Sequence, residues 1–461
     1  MRQRKFASIS SAIAAMIMLL GVIAVSFGSV TAQQPPTATP NDPIWLAFDA
    51  ARTALEEKLQ QEIRYVKSYT YEEAEFQGGI SSCKTLGEGE KPEFLFFGWR
   101  FIITLLNGAA YEVRTSFNYQ IVVICDQVTV TTGEPTAATT PVDGLPAPVT
   151  GPVGPGGLEV GGQVTGLFPD AVTAMTNAGM RWVKFQINPG VAEGTATGFI
   201  TEAKSKGFKI LLSVVGDPAQ VMNGTYQDDF AAYLGRLAKA GADAIEVWNE
   251  PNIEREWPAG QVSGGNYTVL LAKSFNAIKS NNSGTLVISG APAPTGFFGT
   301  AGCTAQGCND DVFYRQMAAA GAAQYMDCVG AHYNEGIVSP LVNSGDPRDN
   351  YPTRYYGTNL NRALANFPGK QACFTELGYL SGEDYGALPA NFAWAGGTSV
   401  DEHAQWLGEA VGKARAEGNV RLLIVFNVNF SSFTDDPQAG YAIIRKNGSC
   451  PACAKIRASL Q

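Results

Sequence analysis

An α/β fold, a (β/α)8 TIM barrel preceded by a small α+β domain, is what this sequence predicts, and three observations predict it. From residue 157 onward, short apolar or β-branched runs alternate with helical stretches. Eight such runs occur before the chain ends, the number that a closed parallel barrel needs. Two stretches rich in Pro, Thr and Gly, at 33–43 and 132–156, set off a segment of different pattern between them.

The elements follow in chain order. Arg2, Arg4 and Lys5 precede the apolar stretch 11–26, and Val30-Thr31-Ala32 offers a cleavage site. Residues 1–32 therefore read as a signal peptide, with an uncleaved membrane anchor as the alternative. Residues 44–131 open with a helix over 44–64, where Trp45, Phe48, Ala51, Leu55 and Leu59 keep near-helical spacing. Strand-like runs follow at Arg64–Phe76, Phe94–Leu106 and Ala110–Cys125, the last after an Asn107-Gly108 turn. No chemistry is visible in this small domain; docking, spacing or surface attachment all suit it.

The barrel strands are expected at Leu158–Val164, Trp182–Ile187, Lys209–Val215, Ala244–Trp248, Thr285–Ser289, Cys328–Tyr333, Ala372–Glu376 and Arg421–Phe426. Helices fall between them, among them Asp229–Ala240, Tyr267–Ser280 and Val400–Glu417. A doubly wound sheet is the competing fold. It usually opens on a Gly-rich phosphate turn, and no GxGxxG follows the first strand here.

Composition narrows the function. Hydrophobic residues make up 45% of the 461 and charged residues 16%, which fits a well-buried globular protein. The net charge of −9 without basic blocks argues against nucleic acid as a partner. Two histidines, His332 and His403, are too few for a multi-histidine metal site or an HExxH protease. There is no GxSxG elbow and no Walker-type GxxxxGK[ST]. Asn309-Asp310-Asp311 lacks EF-hand spacing and reads as a helix start before Val312, with a calcium loop as the minority reading. No metal and no cofactor is expected.

Eight cysteines in an exported chain suggest disulfides. Their order suggests Cys83 with Cys125, Cys303 with Cys308, Cys328 with Cys373, and Cys450 with Cys453, although sequence alone leaves the connectivity open. Cys450-Pro-Ala-Cys453 has the spacing of a redox pair, but a structural clip suits its position at the chain's end better.

The chemistry concentrates in Ile245-Glu-Val-Trp-Asn-Glu-Pro-Asn252. An apolar strand runs into Trp248, Asn249 and Glu250, and Pro251 stops it. Those residues then lie at a strand's C-terminal tip, where such barrels place their active sites. Cys373-Phe-Thr-Glu-Leu-Gly-Tyr379 ends the seventh strand in the same way with Glu376. Two carboxylates about 5–5.5 Å apart suit double displacement at a sugar carbon.

Trp248-Asn249-Glu250-Pro251 resembles the Asn-Glu-Pro signature of glycoside hydrolase clan A, and its flanks are most similar to families 39 and 5. Phe374-Thr375-Glu376-Leu377-Gly378 resembles that clan's nucleophile strand. In element order the resemblance spans 157–461; in residues it rests on these two motifs. It implies that Glu250 is the acid/base, Glu376 the nucleophile, and that Asn249 bonds the sugar 2-hydroxyl. The clan often places a His and a Tyr, one residue apart, on the sixth strand. Here His332 and Tyr333 are adjacent, and side-chain alternation would point His332 and Asn334 inward together. Lys184 and Gln186 stand where many relatives carry an Arg near the nucleophile. Phe426-Asn427-Val428-Asn429-Phe430 stands where many carry a Trp platform.

Each residue has a plainer reading. Glu250 and Glu376 would be structural ion pairs, Asn249 a strand-end cap, His332 a core histidine, and Trp248 barrel packing. Trp257, Trp394, Tyr355 and Tyr356 are loop aromatics that stack on sugars or anchor loops. Asp217, Glu254 and Glu256 are rim carboxylates. The sequence-level expectation is an exported, monomeric, retaining glycoside hydrolase acting on a β-linked polysaccharide or oligosaccharide. The small domain would serve for surface attachment. The alternative is an inactive carbohydrate-binding or envelope protein on the same barrel.

Overall fold

The computed structural model describes residues 43–63, 66–76, 83, 96–116, 121–128, 145–296, 298, 302–349 and 351–461. The expected signal peptide and residues 132–144 of the second linker lie outside them. No helix of the described residues is long and apolar enough to cross a membrane.

Helix α1 (Pro43–Leu59) packs on an antiparallel sheet of β1 (Val66–Phe76), β2 (Phe96–Leu105), β3 (Ala110–Ser116) and β4 (Val122–Val128), in that order. Ala47, Phe48, Ala51 and Leu55 on the helix meet Phe101, Ile103 and Val113 on the sheet, so the helical spacing seen in sequence is the buried face. Cys83 and Cys125 are bridged. The run Ala110–Cys125, expected as one strand, is two. Ser116 and Ile121 turn the chain back, the Ser116 amide donating to the Ile121 carbonyl at 2.9 Å and the Ile121 amide to Ser116 Oγ at 3.0 Å. Period-two alternation is blind to such a reversal, because both arms of a hairpin carry the same pattern.

Eight parallel strands make the second sheet: β5 (Glu159–Gln163), β6 (Trp182–Ile187), β7 (Lys209–Val214), β8 (Ala244–Val247), β9 (Leu286–Ser289), β10 (Val329–Gly336), β11 (Ala372–Tyr379) and β12 (Val420–Val425). Each pairs with the next, β12 pairs with β5, and a bridge from Ile288 to Cys328 closes β9 onto β10. A Cβ at Gly330 would lie 1.9 Å from the Ser289 carbonyl oxygen, so only glycine lets this last seam close. Helices α2 (Pro169–Ala178), α3 (Glu193–Ser205), α4 (Gly224–Lys239), α5 (Gly264–Asn281), α6 (Asp310–Ala319), α7 (Tyr356–Leu364) and α8 (Val400–Glu417) fall between the strands. The short α9 (Gln438–Tyr441) and the closing α10 (Pro451–Ser459) follow β12. This is a (β/α)8 barrel, and all eight expected strands are present within a few residues.

Alternation sorts each strand into two faces. Ile210, Leu212, Ile245, Val247, Leu423 and Val425 face the helices in the main core. Trp182, Leu211, Ala244, Leu286, Ile288, Leu422 and Ile424 fill the barrel's interior together with Cys328 and Cys373. Those two cysteines are bridged, so a disulfide is part of the barrel floor. Residues 145–156, read from sequence as linker, instead lie along the barrel where its strands begin. Val153 donates its amide to Asp327 and Gly156 donates to Gln371. Cys303 with Cys308 and Cys450 with Cys453 complete four bridges, the pairs that chain order suggested.

Two outcomes are expected. The Cys328–Cys373 bridge spans 45 residues, and loop entropy of that size amounts to roughly 3–4 kcal/mol. Replacing both cysteines by serine should lower the denaturant midpoint accordingly. His403 on α8 is buried against the Tyr441 carbonyl, and burial, with Arg445 nearby, pulls its pKa down to about 3. The unfolded chain takes up this proton near 6.5 and the folded chain does not. Stability therefore falls as pH drops below that value, by up to about 1.4 kcal/mol per pH unit. Melting of His403→Gln between pH 6 and pH 4 should show a shallower decline than the parent.

Candidate active site

The next inward-facing layer above the apolar floor is polar. Lys184 on β6, Ser213 on β7 and Glu246 on β8 each follow a floor residue by two positions, and all three are fully buried. Lys184 Nζ lies 2.9 Å from Glu376 Oε1 and 3.8 Å from Glu246 Oε2. Glu246 Oε1 accepts from Thr375 Oγ1 at 2.7 Å and from the Ala291 amide at 3.2 Å.

Thr375 and Glu376 are consecutive, yet both reach the interior. The register of β11 slips against both neighbours, between Ala331 and His332 on β10 and between Phe374 and Leu377 against β12. Such an irregularity re-aims a side chain that strict alternation would send outward. On β10 alternation holds, so His332 and Asn334 face the mouth, while Tyr333 does not.

The Glu250 segment is shaped differently. Trp248 and Glu250 have φ of 75° and 43°, a region that costs a non-glycine residue of order 1–3 kcal/mol. The surroundings hold them there. The Trp248 amide donates to Val214, its indole Nε1 to the Glu256 carbonyl at 2.8 Å, and the Glu250 amide to Ala291 at 2.9 Å. Asn252 locks the following turn through Ala293 and Cys308.

The two tips meet at one imidazole. His332 Nδ1 is 3.2 Å from Glu250 Oε1 and 3.9 Å from Glu376 Oε2, so the two carboxylates are no farther apart than those distances laid end to end. His332 Nε2 is 4.0 Å from Glu246 Oε1. Burial alone would push this histidine toward its neutral form, but Glu376, Glu250 and Glu246 together raise its pKa above the usual value. Burial likewise pushes Glu376 up, and Lys184, His332 and the Asn334 amide, 3.1 Å away, outweigh it and hold the carboxyl below its ordinary value. Glu250 has no ammonium beneath it. Its outer oxygen meets Arg255 from the loop, which also contacts Glu256 at 3.2 Å.

The expected site residues are thus placed as follows. Glu250, Glu376, His332 and Lys184 converge. Asn249 is almost buried beside Glu250, and its side-chain oxygen accepts no hydrogen bond from the described residues. Gln186 is half-buried on the face of β6 that carries Lys184. Two expectations are corrected. Tyr333 is fully buried on the helix-facing side, its hydroxyl donating to the Arg354 carbonyl, because adjacency to His332 puts it on the opposite face. Trp248 is fully buried between Phe230 and Trp257 and has no surface to offer a sugar.

Trp257 and Tyr355 are buried anchors, Tyr356 opens α7 and is buried, and half-buried Trp394 carries the Arg348 guanidinium 4.6 Å above its ring. Glu254 lies in the turn after Glu250, Asp217 caps its own loop, and Asp310 and Asp311 pair with Arg362. Sequence reasoning passed over Glu246, Thr375 and Arg255. Glu246 carried the clearest signal, a charged residue at an inward position of an otherwise apolar strand.

With the geometry in hand, comparison with known proteins adds the following. No protein-family model matches the chain, and no curated protein matches it in sequence. Among solved structures it is similar to an endo-1,4-beta-mannanase from Rhizomucor miehei, at 14% identity and a TM-score of 0.45 over 68% of this chain and 99% of that one. It is also similar to a family 5 xyloglucanase from Paenibacillus pabuli, at 14% identity and 0.40 over 67% and 98%. A third is an endoglucanase from Thermotoga maritima, at 12% identity and 0.41 over 66% and 97%. The fold itself rests on this chain's own strand pairing.

Lys184→Met should leave a buried carboxylate pair without its counter-charge, a loss of about 3–5 kcal/mol at neutral pH. The depressed pKa of Glu376 contributes stability above the unfolded carboxylate's range and loses it as pH falls. The gap between variant and parent in denaturant titrations should therefore narrow from pH 7 to pH 4.

Proposed function

We propose that residues 157–461 form a retaining glycoside hydrolase that acts on a β-linked polysaccharide or oligosaccharide. The observation that carries this reading is the unequal setting of two carboxylates on one imidazole. Glu376 is clamped by an ammonium and an amide and held ionised, as a nucleophile requires. Glu250 meets His332 Nδ1 with one oxygen and turns the other to the open side, where only the exposed Arg255 meets it among the described residues and a departing oxygen can reach it.

In the first step Glu376 bonds to the anomeric carbon as the glycosidic C–O bond breaks, and Glu250 delivers its proton to the departing oxygen. In the second step Glu250 takes a proton from water, the water oxygen attacks the anomeric carbon, and Glu376 leaves as carboxylate. The side-chain oxygen of Asn249, without a partner among the described residues, suits accepting a hydrogen bond from a sugar hydroxyl next to the reacting carbon. Lys184, expected among the substrate-binding residues, is fully buried and acts from below through Glu376.

The N-terminal pattern of positive and apolar residues, with four disulfides, supports an exported protein. The helix-and-sheet unit ahead of the barrel would serve as its spacer or surface attachment.

The test is a screen of β-linked glucans, mannans and aryl β-glycosides with the purified chain. Glu250→Gln and Glu376→Gln should each lower kcat by at least about a hundredfold, and early-time NMR should show a product of unchanged anomeric configuration. Full activity in either variant would reject the assignment, and an inverted product would reject the two-step route. Binding without cleavage by the parent would favour a carbohydrate-binding role.

A further inference from the structure

Glu246 is a third carboxylate in the site, and packing does not explain it. Its side chain is fully buried, and its Oε2 receives no hydrogen bond from the described residues. The ammonium of Lys184 stands 3.8 Å away, outside hydrogen-bond reach. A carboxylate so placed loses its hydration and regains only part of it, and an apolar or amide side chain of the same size would sit there at less cost. Two bonds nevertheless hold it in one orientation, from Thr375 Oγ1 and the Ala291 amide. Thr375 precedes Glu376, and Ala291 is the residue whose carbonyl accepts the Glu250 amide. Glu246 is thus tied to the backbone around both working carboxylates and touches neither.

We propose that Glu246 is a positioning residue whose charge, 4.0 Å from His332 Nε2, favours the imidazolium between Glu250 and Glu376. The inference rests on the glycosidase reading for its consequence in catalysis, but not for its physical content. The groups facing His332 are Glu246 from β8, Glu250 from the turn after β8 and Glu376 from β11. Around them, Lys184 from β6 is shared by Glu376 and Glu246, and Arg255 is shared by Glu250 and Glu256. Glu250 and Glu376 change charge or bonding during the proposed reaction. Glu246 alone of the three keeps the same surroundings throughout, so it is the constant part of the field that favours the imidazolium. A neutral His332 would take one cation away from both Glu250 and Glu376.

The two histidines make this measurable. The full-length protein has two imidazole rings to follow by NMR, and burial pulls the His403 pKa down to about 3, so the ring that titrates above the ordinary imidazole range is His332. In Glu246→Gln the His332 midpoint should move to lower pH while His403 stays where it is, and Glu246→Asp should restore most of the difference. On a cleavable glycoside, Glu246→Gln should lower kcat on the order of a hundredfold with KM nearly unchanged. The alkaline limb of its pH profile should follow the His332 midpoint. Should Glu246→Gln fail to fold, Thr375→Val removes the bond that orients the carboxylate, and the same displacement is expected in smaller measure.

A folded Glu246→Gln, or failing that a folded Thr375→Val, with an unmoved His332 midpoint overturns the proposal, whatever its activity. A moved midpoint in a parent that cleaves no glycoside keeps the proposal and rejects the glycosidase reading instead.

Discussion

Three carboxylates, from Glu246, Glu250 and Glu376, converge above one apolar floor; the barrel strands supply two cations to offset them, Lys184 and His332, and the loop adds Arg255 on the outer oxygen of Glu250. Everything at the mouth depends on that balance. Buried like charges repel strongly and are kept only when opposite charges sit among them with good geometry. Lys184 reaches Glu376 with a full hydrogen bond and stands near Glu246, while His332 bonds Glu250 and lies within 4.0 Å of the other two. The two cations are not equivalent. An ammonium on a strand deep in the barrel is a fixed charge. An imidazole can change its charge at ordinary pH, so the site's protonation is concentrated in one ring.

The floor explains why this arrangement is rigid. The layer of Trp182, Leu211, Ala244, Leu286, Ile288, Leu422 and Ile424, crossed by the Cys328–Cys373 bridge, closes the barrel directly beneath the charged layer. Water does not reach the charges from below, and the strands cannot spread without breaking a covalent link between β10 and β11. Above, the loop after β10 is tied down by Arg348 on Asp346 and by Arg354 on Glu335 and Asp349. Side chains that would move in an open cleft are held by packing on one side and ion pairs on the other, which is the preorganisation an electrostatic site needs.

Among the described residues of the barrel, the non-glycine residues with left-handed φ are both at this site. The left-handed φ at Trp248 and Glu250 turns the chain so that Glu250 faces the mouth while Trp248 is driven under the loop against Trp257. The slipped register on β11 does the equivalent for Glu376. One carboxylate is aimed by a strained turn and the other by an irregular strand. In both cases a neighbouring bulky or polar side chain, Trp248 or Thr375, takes up the displaced position.

Much of this was readable in the sequence. Alternation with a period of two, broken by helical spacing, located all eight strands, and the proline after Asn249-Glu250 marked a strand tip, because these signals are local and depend on neighbouring residues alone. Cysteine order along the chain suggested the bridges for the same reason. What tertiary structure decided is which distant groups share a volume. Lys184 and Glu376 are 192 residues apart and meet at 2.9 Å. Nothing near Glu246 in the chain announces the threonine on β11 that orients it. The face taken by Trp248, the inward turn of both Thr375 and Glu376, and the charge on His332 arise from barrel closure and from loss of water. Neither belongs to any short stretch of residues, so neither can be read from one.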